Sequence, residues 1–281
     1  MPELWDAIVI GGGPAGLTAG GVLSRAGRRC LLLEREGLGG KARHLERIEN
    51  LPGFPIGISG RALMNRYRRC AAAWGLVVRR AEATRLGRLP KGFSVTTPSG
   101  TLWGRSVLLC TGTRFKRWSN LDGGEIPVFA SAFSQARSFE GRKVAVVGGG
   151  ESAMHQSLRL AGHAKTVYLI HRGRALRGIE LLRRRLAQRP NVRVFPESEL
   201  FPGTRGTVRV RGRAQDRSLA VSAVFALIGQ EPELSLLREG RAPSGVFIAG
   251  DARPGTRRQI AAATGDAMRA AMECEEFLSG R

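Results

Sequence analysis

Acidic residues are scarce in this 281-residue chain: 23 aspartates and glutamates face 45 lysines and arginines. There are two tyrosines and four cysteines. Each shortage excludes something. No apolar run approaches the ~20 residues needed to cross a bilayer, so no membrane span or membrane partner is expected. The cysteines, Cys30, Cys70, Cys110 and Cys274, are too widely spaced for a Cys-x-x-Cys redox pair or a zinc motif. No metal site is expected. Cys30 and Cys110 lie in apolar, strand-like runs, where a cysteine acts as a small buried hydrophobe. Aromatic residues make up 6% of the chain, with none of the interleaving of bases and stacking rings that marks a nucleic-acid reader. The first apolar run starts close to the N-terminus, so no leader is expected and the cytoplasm is the expected compartment. The net charge of +22 favours anionic ligands and acidic protein partners, or reflects a general arginine bias.

Two glycine-rich turns are the most informative feature present. Gly11-Gly12-Gly13-Pro14-Ala15-Gly16 follows the apolar run Ala7–Ile10, and Gly148-Gly149-Gly150-Glu151-Ser152-Ala153 follows Val144–Val147. Each precedes a segment able to form a helix. The first glycine permits a tight turn out of the strand. The second lets the backbone approach a pyrophosphate, and the third position needs a small residue for helix–strand packing. Gly11, Gly13 and Gly16 satisfy the pattern, as do Gly148, Gly150 and Ala153. A pyrophosphate at each turn would face the unpaired N–H groups of a helix N-terminus. Two dinucleotide sites in one chain point to redox chemistry.

The next strand of each unit separates the two ligands. Cys30–Leu33 ends in Glu34, a carboxylate suited to ribose hydroxyls and hostile to a 2′-phosphate. Thr166–Ile170 is followed by His171, Arg172, Arg174 and Arg177, cations suited to a 2′-phosphate. The first site reads as FAD or NAD and the second as NADPH. Near the C-terminus, a strand ending in Gly250-Asp251 places a carboxylate where open α/β sheets bind ligands. The helix beginning near Arg258-Gln259-Ile260 can direct its N–H dipoles at a flavin ring.

These features predict an α/β protein of two Rossmann-like, three-layer ββα domains. The first is discontinuous, residues 1–115 and 229–281, and residues 116–228 form the second. Expected helices span Gly60–Trp74, Ser152–Ala161, Gly178–Gln188 and Gln259–Leu278. Expected strands include Gly75–Arg80, Gly92–Thr97, Ser106–Cys110, Val192–Phe195, Thr207–Val210 and Val221–Ile228.

Taken in order, the two turns, Glu34, Gly39-Gly40, Glu49–Phe54, Gly57–Gly60, Thr111–Thr113, His171-Arg172 with Arg177, Ile228-Gly229, Gly250-Asp251 and Arg258–Ile260 form a specific series. The chain resembles the low-molecular-weight thioredoxin reductases, two-domain FAD/NADPH flavoproteins of the pyridine nucleotide-disulfide oxidoreductases. The resemblance covers nearly its whole length and implies a homodimer. It places Gly40, Lys41 and Asn50 along the flavin, Thr111 and Gly112 on FAD, and Arg258, Gln259 and Ile260 on the ring. Arg35, Ala83 and Cys110 complete the implied FAD set. Gly148, Gly150, Glu151, Ser152, Arg172 and Arg177 form the implied second set, for NADPH or a second FAD.

The departures from the family lie in its reactive parts. Its Cys-x-x-Cys falls at Ser131-Ala132-Phe133-Ser134. A serine hydroxyl does not attack disulfides at neutral pH, so thioredoxin reduction by the family's mechanism is not expected. Ser131 and Ser134 are candidate catalytic hydroxyls near the flavin, or else remnants in a surface loop. His155 and Gln156 stand where an acidic pair is expected, and Gly173 replaces an arginine. The stretch 230–244 is short, which predicts a trimmed hairpin. Three functions follow: an NAD(P)H-dependent FAD oxidoreductase serving a small molecule or acidic redox protein, with ferredoxin–NADP reductase as one form; a pyridine-nucleotide-independent flavoenzyme fed by ferredoxin or holding a second flavin at the nicotinamide site; and a flavin-binding sensor.

Overall fold

The computed structural model describes residues 3–119, 121, 125–133, 135–204, 206–213 and 215–280. It divides into two compact units, residues 1–114 with 231–281, and residues 115–230. In the first unit the chain forms β1 (Leu4–Ile10), α1 (Pro14–Arg25), β2 (Cys30–Glu34), α2 (Gly60–Ala73), β3 (Val77–Arg80), β4 (Arg85–Leu89), β5 (Gly92–Thr97) and β6 (Gly100–Leu109). It leaves through β7 (Thr113–Phe115). The second unit holds β8 (Val128–Phe129), β9 (Lys143–Val147), α3 (Glu151–Ala161), β10 (Thr166–Ile170), α4 (Glu180–Ala187), β11 (Val192–Phe195), β12 (Ser198–Pro202), β13 (Thr207–Gly212), β14 (Gln215–Ala220) and β15 (Val224–Ala226). The chain returns through β16 (Gln230–Pro232), which pairs with β7, to β17 (Val246–Ile248) and α5 (Ile260–Ser279).

The two units repeat one plan. The first sheet runs β3-β2-β1-β6, with β17 also on β6, and these pairs are parallel. The second runs β11-β10-β9-β15-β8, also parallel. Each carries an antiparallel addition: the β4-β5 hairpin on β6 in the first unit, and the β12-β13-β14 sheet in the second.

Strand alternation sorts the core into layers. Ala7, Val9, Cys30, Leu32 and Leu108 join one cluster with α1 and α5. Ile8, Ile10, Leu31, Leu33, Val107 and Leu109 join another with Phe93 and Val95. Successive residues point to opposite faces, and both faces are covered, which explains why these strands are apolar throughout. The second unit splits the same way, Val144, Val146, Val167 and Leu169 on one side and Ala145, Tyr168 and Ile170 on the other.

The expected helices form within two residues at each end. The Ser59 hydroxyl accepts from the Ala62 N–H and fixes the start of α2, and Gly280 ends α5 in the left-handed conformation. Strand expectations were less accurate. β6 starts six residues earlier than expected because its first half pairs with β5. The expected strand Val221–Ile228 shortens to β15. The stretch 230–244 forms β16 and a single 3-10 turn, Arg238–Gly240, instead of a trimmed hairpin. All four residues of β3 are exposed at a sheet edge, where Arg79 and Arg80 discourage pairing with another chain.

Candidate dinucleotide-binding sites

At the first turn, two of the glycines are demanded by the chain itself. Gly11 has φ of +107°, and a Cβ there would lie 2.3 Å from the Cys110 carbonyl oxygen. A Cβ on Gly16 would lie 1.8 Å from the Gly11 carbonyl oxygen, so α1 sits on the turn only if this residue has no side chain. Gly13 differs. It caps α1 at φ −75°, allowed for any residue, and a Cβ built on it meets nothing within 4 Å. Glycine is an acceptable helix cap, but packing does not demand it there. A ligand that approaches the backbone at the helix N-terminus does, and the cradle fits a pyrophosphate. Pro14 occupies the first helical position, where a missing N–H costs no helical bond.

The second turn repeats this division. Gly148 has φ of +141°, and its Cβ would lie 2.4 Å from the Leu227 carbonyl oxygen. Ala153 is fully buried at the third position. Gly150 caps α3 at φ −94°, and its Cβ would again meet nothing within 4 Å.

Around the first turn, the residues separated in sequence come together. Glu34 ends β2, and its carboxylate accepts from the N–H of Gly12 (2.7 Å), Glu36 (2.8 Å) and Gly37 (3.3 Å). Three backbone donors hold it beside the turn, leaving limited acceptor capacity for a ribose. Gly39 donates to the Gly12 carbonyl, and a Cβ on Gly40 would lie 3.1 Å from the Gly13 Cα. This brings Lys41 close by. Its ammonium donates at 2.7 Å to the Thr113 carbonyl and hydroxyl, and burial pulls its pKa down to about 8.

The C-terminal return meets the same place. Gly250, at φ +69°, packs on Ala15 and donates to Asp266 Oδ2 at 2.9 Å. Burial raises the Asp251 carboxyl above its ordinary value, while Lys41 and Arg258 oppose that rise. The Asn50 amide donates to Gln259 Oε1 at 2.6 Å across 209 residues of sequence, and Ile260 opens α5 beside it. The Thr111 hydroxyl bonds the Glu233 carbonyl, and Gly112 accepts from the Glu233 N–H. Ala83 packs at the edge of the apolar layer below the sheet. Arg35 is exposed and turned toward Glu36 and Glu82. Burial pushes the Cys110 thiol up to about 12, with Cys30 also near 12 and Cys274 near 11, so none is a thiolate at neutral pH.

At the second site the arginines named from the sequence are exposed. Arg172 and Arg174 are exposed and lie 4.0 Å from Glu199 and 3.5 Å from Glu197 respectively. Arg177 is held at the turn, its N–H donating to the Gly149 carbonyl at 2.7 Å. His171 is buried against Gly149, and burial lowers its pKa. Glu151 and Ser152 form the first turn of α3. Ser131 accepts from the Phe133 N–H at 3.2 Å and so braces its own turn. Ser134 lies outside the described residues. His155 is exposed, whereas Gln156 is fully buried.

Sequence reading missed Asp266, the contact of Thr113 with Lys41 and the contacts of Gln156. Asp266 stands on the buried stripe of α5 with Ala263, Ala267, Ala270 and Cys274, and a lone carboxylate on an apolar face was the available signal. Among the described residues, no group of three or more histidines, cysteines or carboxylates could hold a metal. No helix among them is long and apolar enough to cross a membrane.

Residues 55–194 match the family described as pyridine nucleotide-disulphide oxidoreductase, and residues 9–76 match the NAD(P)-binding Rossmann-like domain. A thioredoxin reductase of Treponema pallidum is 30% identical over 303 residues, covering 99% of this chain and 98% of its own. The fold is that of a solved Lactococcus lactis thioredoxin reductase, with TM-score 0.90 and 24% identity over 99% of this chain and all of that one. The bacillithiol disulfide reductase Bdr of Staphylococcus aureus shares it at TM-score 0.83 and 18% identity, over 99% of each chain.

Proposed function

The chain belongs to the thioredoxin reductase-like pyridine nucleotide-disulphide oxidoreductases, and on that premise we propose that it is an FAD-dependent oxidoreductase fed by NAD(P)H that does not use a protein dithiol. The observation that carries this reading is the pair Gly13 and Gly150. Both are glycines that packing does not require, at the N-termini of two equivalent helices.

In this reading the first unit holds FAD and the second NADPH. Gly11–Gly16 with the α1 N-terminus hold the pyrophosphate of FAD, Glu34 its ribose, and Asp251 its ribityl chain. Lys41, Asn50, Gln259 and the α5 N-terminus line the ring. When bound, FAD would supply the redox chemistry between NAD(P)H and the acceptor. The protein's own task is electrostatic. Lys41 supplies a cation, and the α5 dipole favours negative charge nearby. Arg172 and Arg177 are both exposed beside the second turn, Arg177 tied to it through its backbone N–H, and either can supply the cation for a 2′-phosphate.

The sequence lacks a Cys-x-x-Cys, and the thiols of Cys30, Cys110 and Cys274 are held protonated. The proposed acceptor is therefore a small molecule or an acidic redox protein, and thioredoxin reduction by dithiol exchange is not proposed. We also propose a homodimer. The test is anaerobic mixing of the flavin-loaded protein with NADPH. Rapid bleaching of the flavin is expected, and its absence would refute the reading. The net charge of +22 supports a second reading, with electrons entering from an acidic ferredoxin. Bleaching by reduced ferredoxin but not by NADPH would favour it.

A further inference from the structure

The Gln156 side chain is fully buried in the fourth position after Ser152 on α3. Its Oε1 accepts from the Ala132 N–H, and its Nε2 donates to the Ser152 hydroxyl oxygen at 3.2 Å. The orientation of this amide is chemically forced. Ala132 offers a backbone N–H, so the atom facing it must be the amide oxygen, and the nitrogen must face Ser152. A hydroxyl that receives a hydrogen bond on its lone pair keeps its own proton to give elsewhere. Ser152 is exposed in the first turn of α3, beside the open cradle at Gly150.

We propose that Gln156 is a positioning residue that sets the polarity of the Ser152 hydroxyl, making it a hydrogen-bond donor to a phosphate held at the second glycine turn. The proposal rests on reading that turn as a dinucleotide site. A carboxylate at position 156 would act in the opposite sense. It would still accept from the Ala132 N–H, but it would also accept the Ser152 proton and withdraw it from the ligand. The glutamine thus keeps the 131–133 segment anchored while freeing a donor for an anion. Its bonds to Ala132 and Ser152 distinguish it from His155, which is exposed on the same helix.

The test is a cycle of S152A and Q156E in the flavin-loaded protein, with NADP+ as the probe and affinity measured by calorimetry. In the wild-type background, S152A is expected to weaken NADP+ about tenfold, the loss of one hydrogen bond to a charged group. In the Q156E background, S152A is expected to cost less than about twofold, because the hydroxyl no longer serves the ligand. Repulsion from the new carboxylate is present in both members of that second pair and cancels. Q156E is expected to keep the Ala132 amide protected from hydrogen exchange, whereas Q156M exposes it. If Q156E does not fold, Q156M replaces it in the cycle, and S152A is then expected to cost about threefold, since an unheld hydroxyl donates only part of the time. Equal losses from S152A in both backgrounds, or no loss in either, overturn the proposal. Failure of the wild-type protein to bind NADP+ overturns the dinucleotide reading of the turn and the proposal with it.

Discussion

Replacing Gly13 with alanine separates what the fold requires from what a ligand requires. At φ −75° the backbone already suits an L-residue, and the new methyl meets no atom of the chain within 4 Å. Alanine is a poorer helix cap than glycine by up to about 1 kcal/mol, while the stiffer unfolded chain returns roughly 0.4–1 kcal/mol. The two nearly cancel, so the melting temperature of the flavin-free protein should move by only a few degrees. Binding should respond quite differently. The methyl occupies the space a pyrophosphate needs, and loss of close backbone contact is expected to lower FAD affinity by at least about a hundredfold, near 2.7 kcal/mol. Gly16→Ala is the counterpart. Its methyl would lie 1.8 Å from the Gly11 carbonyl oxygen, so either α1 or the turn must move, and the flavin-free protein itself should be destabilised by several kcal/mol. The assay is thermal melting of the stripped proteins, followed by titration with FAD. A Gly13→Ala protein that binds FAD as tightly as the wild type would show that no ligand approaches this backbone.

Gln156→Met leaves the Ala132 N–H buried without a partner and should cost about 1–3 kcal/mol in denaturant unfolding at unchanged m-value. Asp266→Ala removes the acceptor of the Gly250 N–H and the partner of Arg253 and Arg269; because both arginines are partly exposed, about 1–3 kcal/mol is expected, with a loss of retained flavin. Lys41 has its pKa lowered to about 8 from the ordinary 10.5, so the unfolded chain binds the extra proton between these values. Stability of the flavin-free protein should therefore rise with pH across that window, and Lys41→Met should abolish the rise in pH-dependent melts. Alkylation should label the exposed Cys70 and spare Cys30, Cys110 and Cys274, leaving the rate of flavin reduction unchanged; inactivation that tracks labelling of a buried thiol would contradict this.

Much of the scaffold was legible because its signals are local. Ala7–Ile10 and Val144–Val147 are short apolar runs closed by glycine turns, and each formed the central strand of a parallel sheet. Strands whose extent is set by pairing within a hairpin were less legible. The first half of β6 is a strand because β5 pairs with it, and β12 and β14 gain their identity from β13 between them. The site shows the same divide. Glu34 announced itself by its place at the end of β2, whereas Asn50 was placed at the flavin only by family resemblance, and its bond to Gln259 across 209 residues was not foreseen. Arg172 and Arg174, whose sequence position suits a 2′-phosphate, lie within 4.0 Å of Glu199 and Glu197, partners that counting charges did not reveal, and Arg177 is tied to the glycine turn through its backbone N–H.

The serine-for-cysteine position at Ser131 acquires a different meaning when the neighbouring backbone is considered. Ser131 spends its acceptor on Phe133, and Ala132 between them buries both its methyl and its N–H, the latter on Gln156. A segment that presents reactive thiols must let a side chain reach a disulfide and then another partner, which favours mobility. Here residues 131–133 are tied to α3 through the buried Gln156 amide. Loss of the thiols and gain of the anchor point the same way. On the proposed reading, residues 131–133 belong to the framework of the second site and help to fix Ser152 and the α3 N-terminus for the nucleotide, while electron exit is left to the flavin.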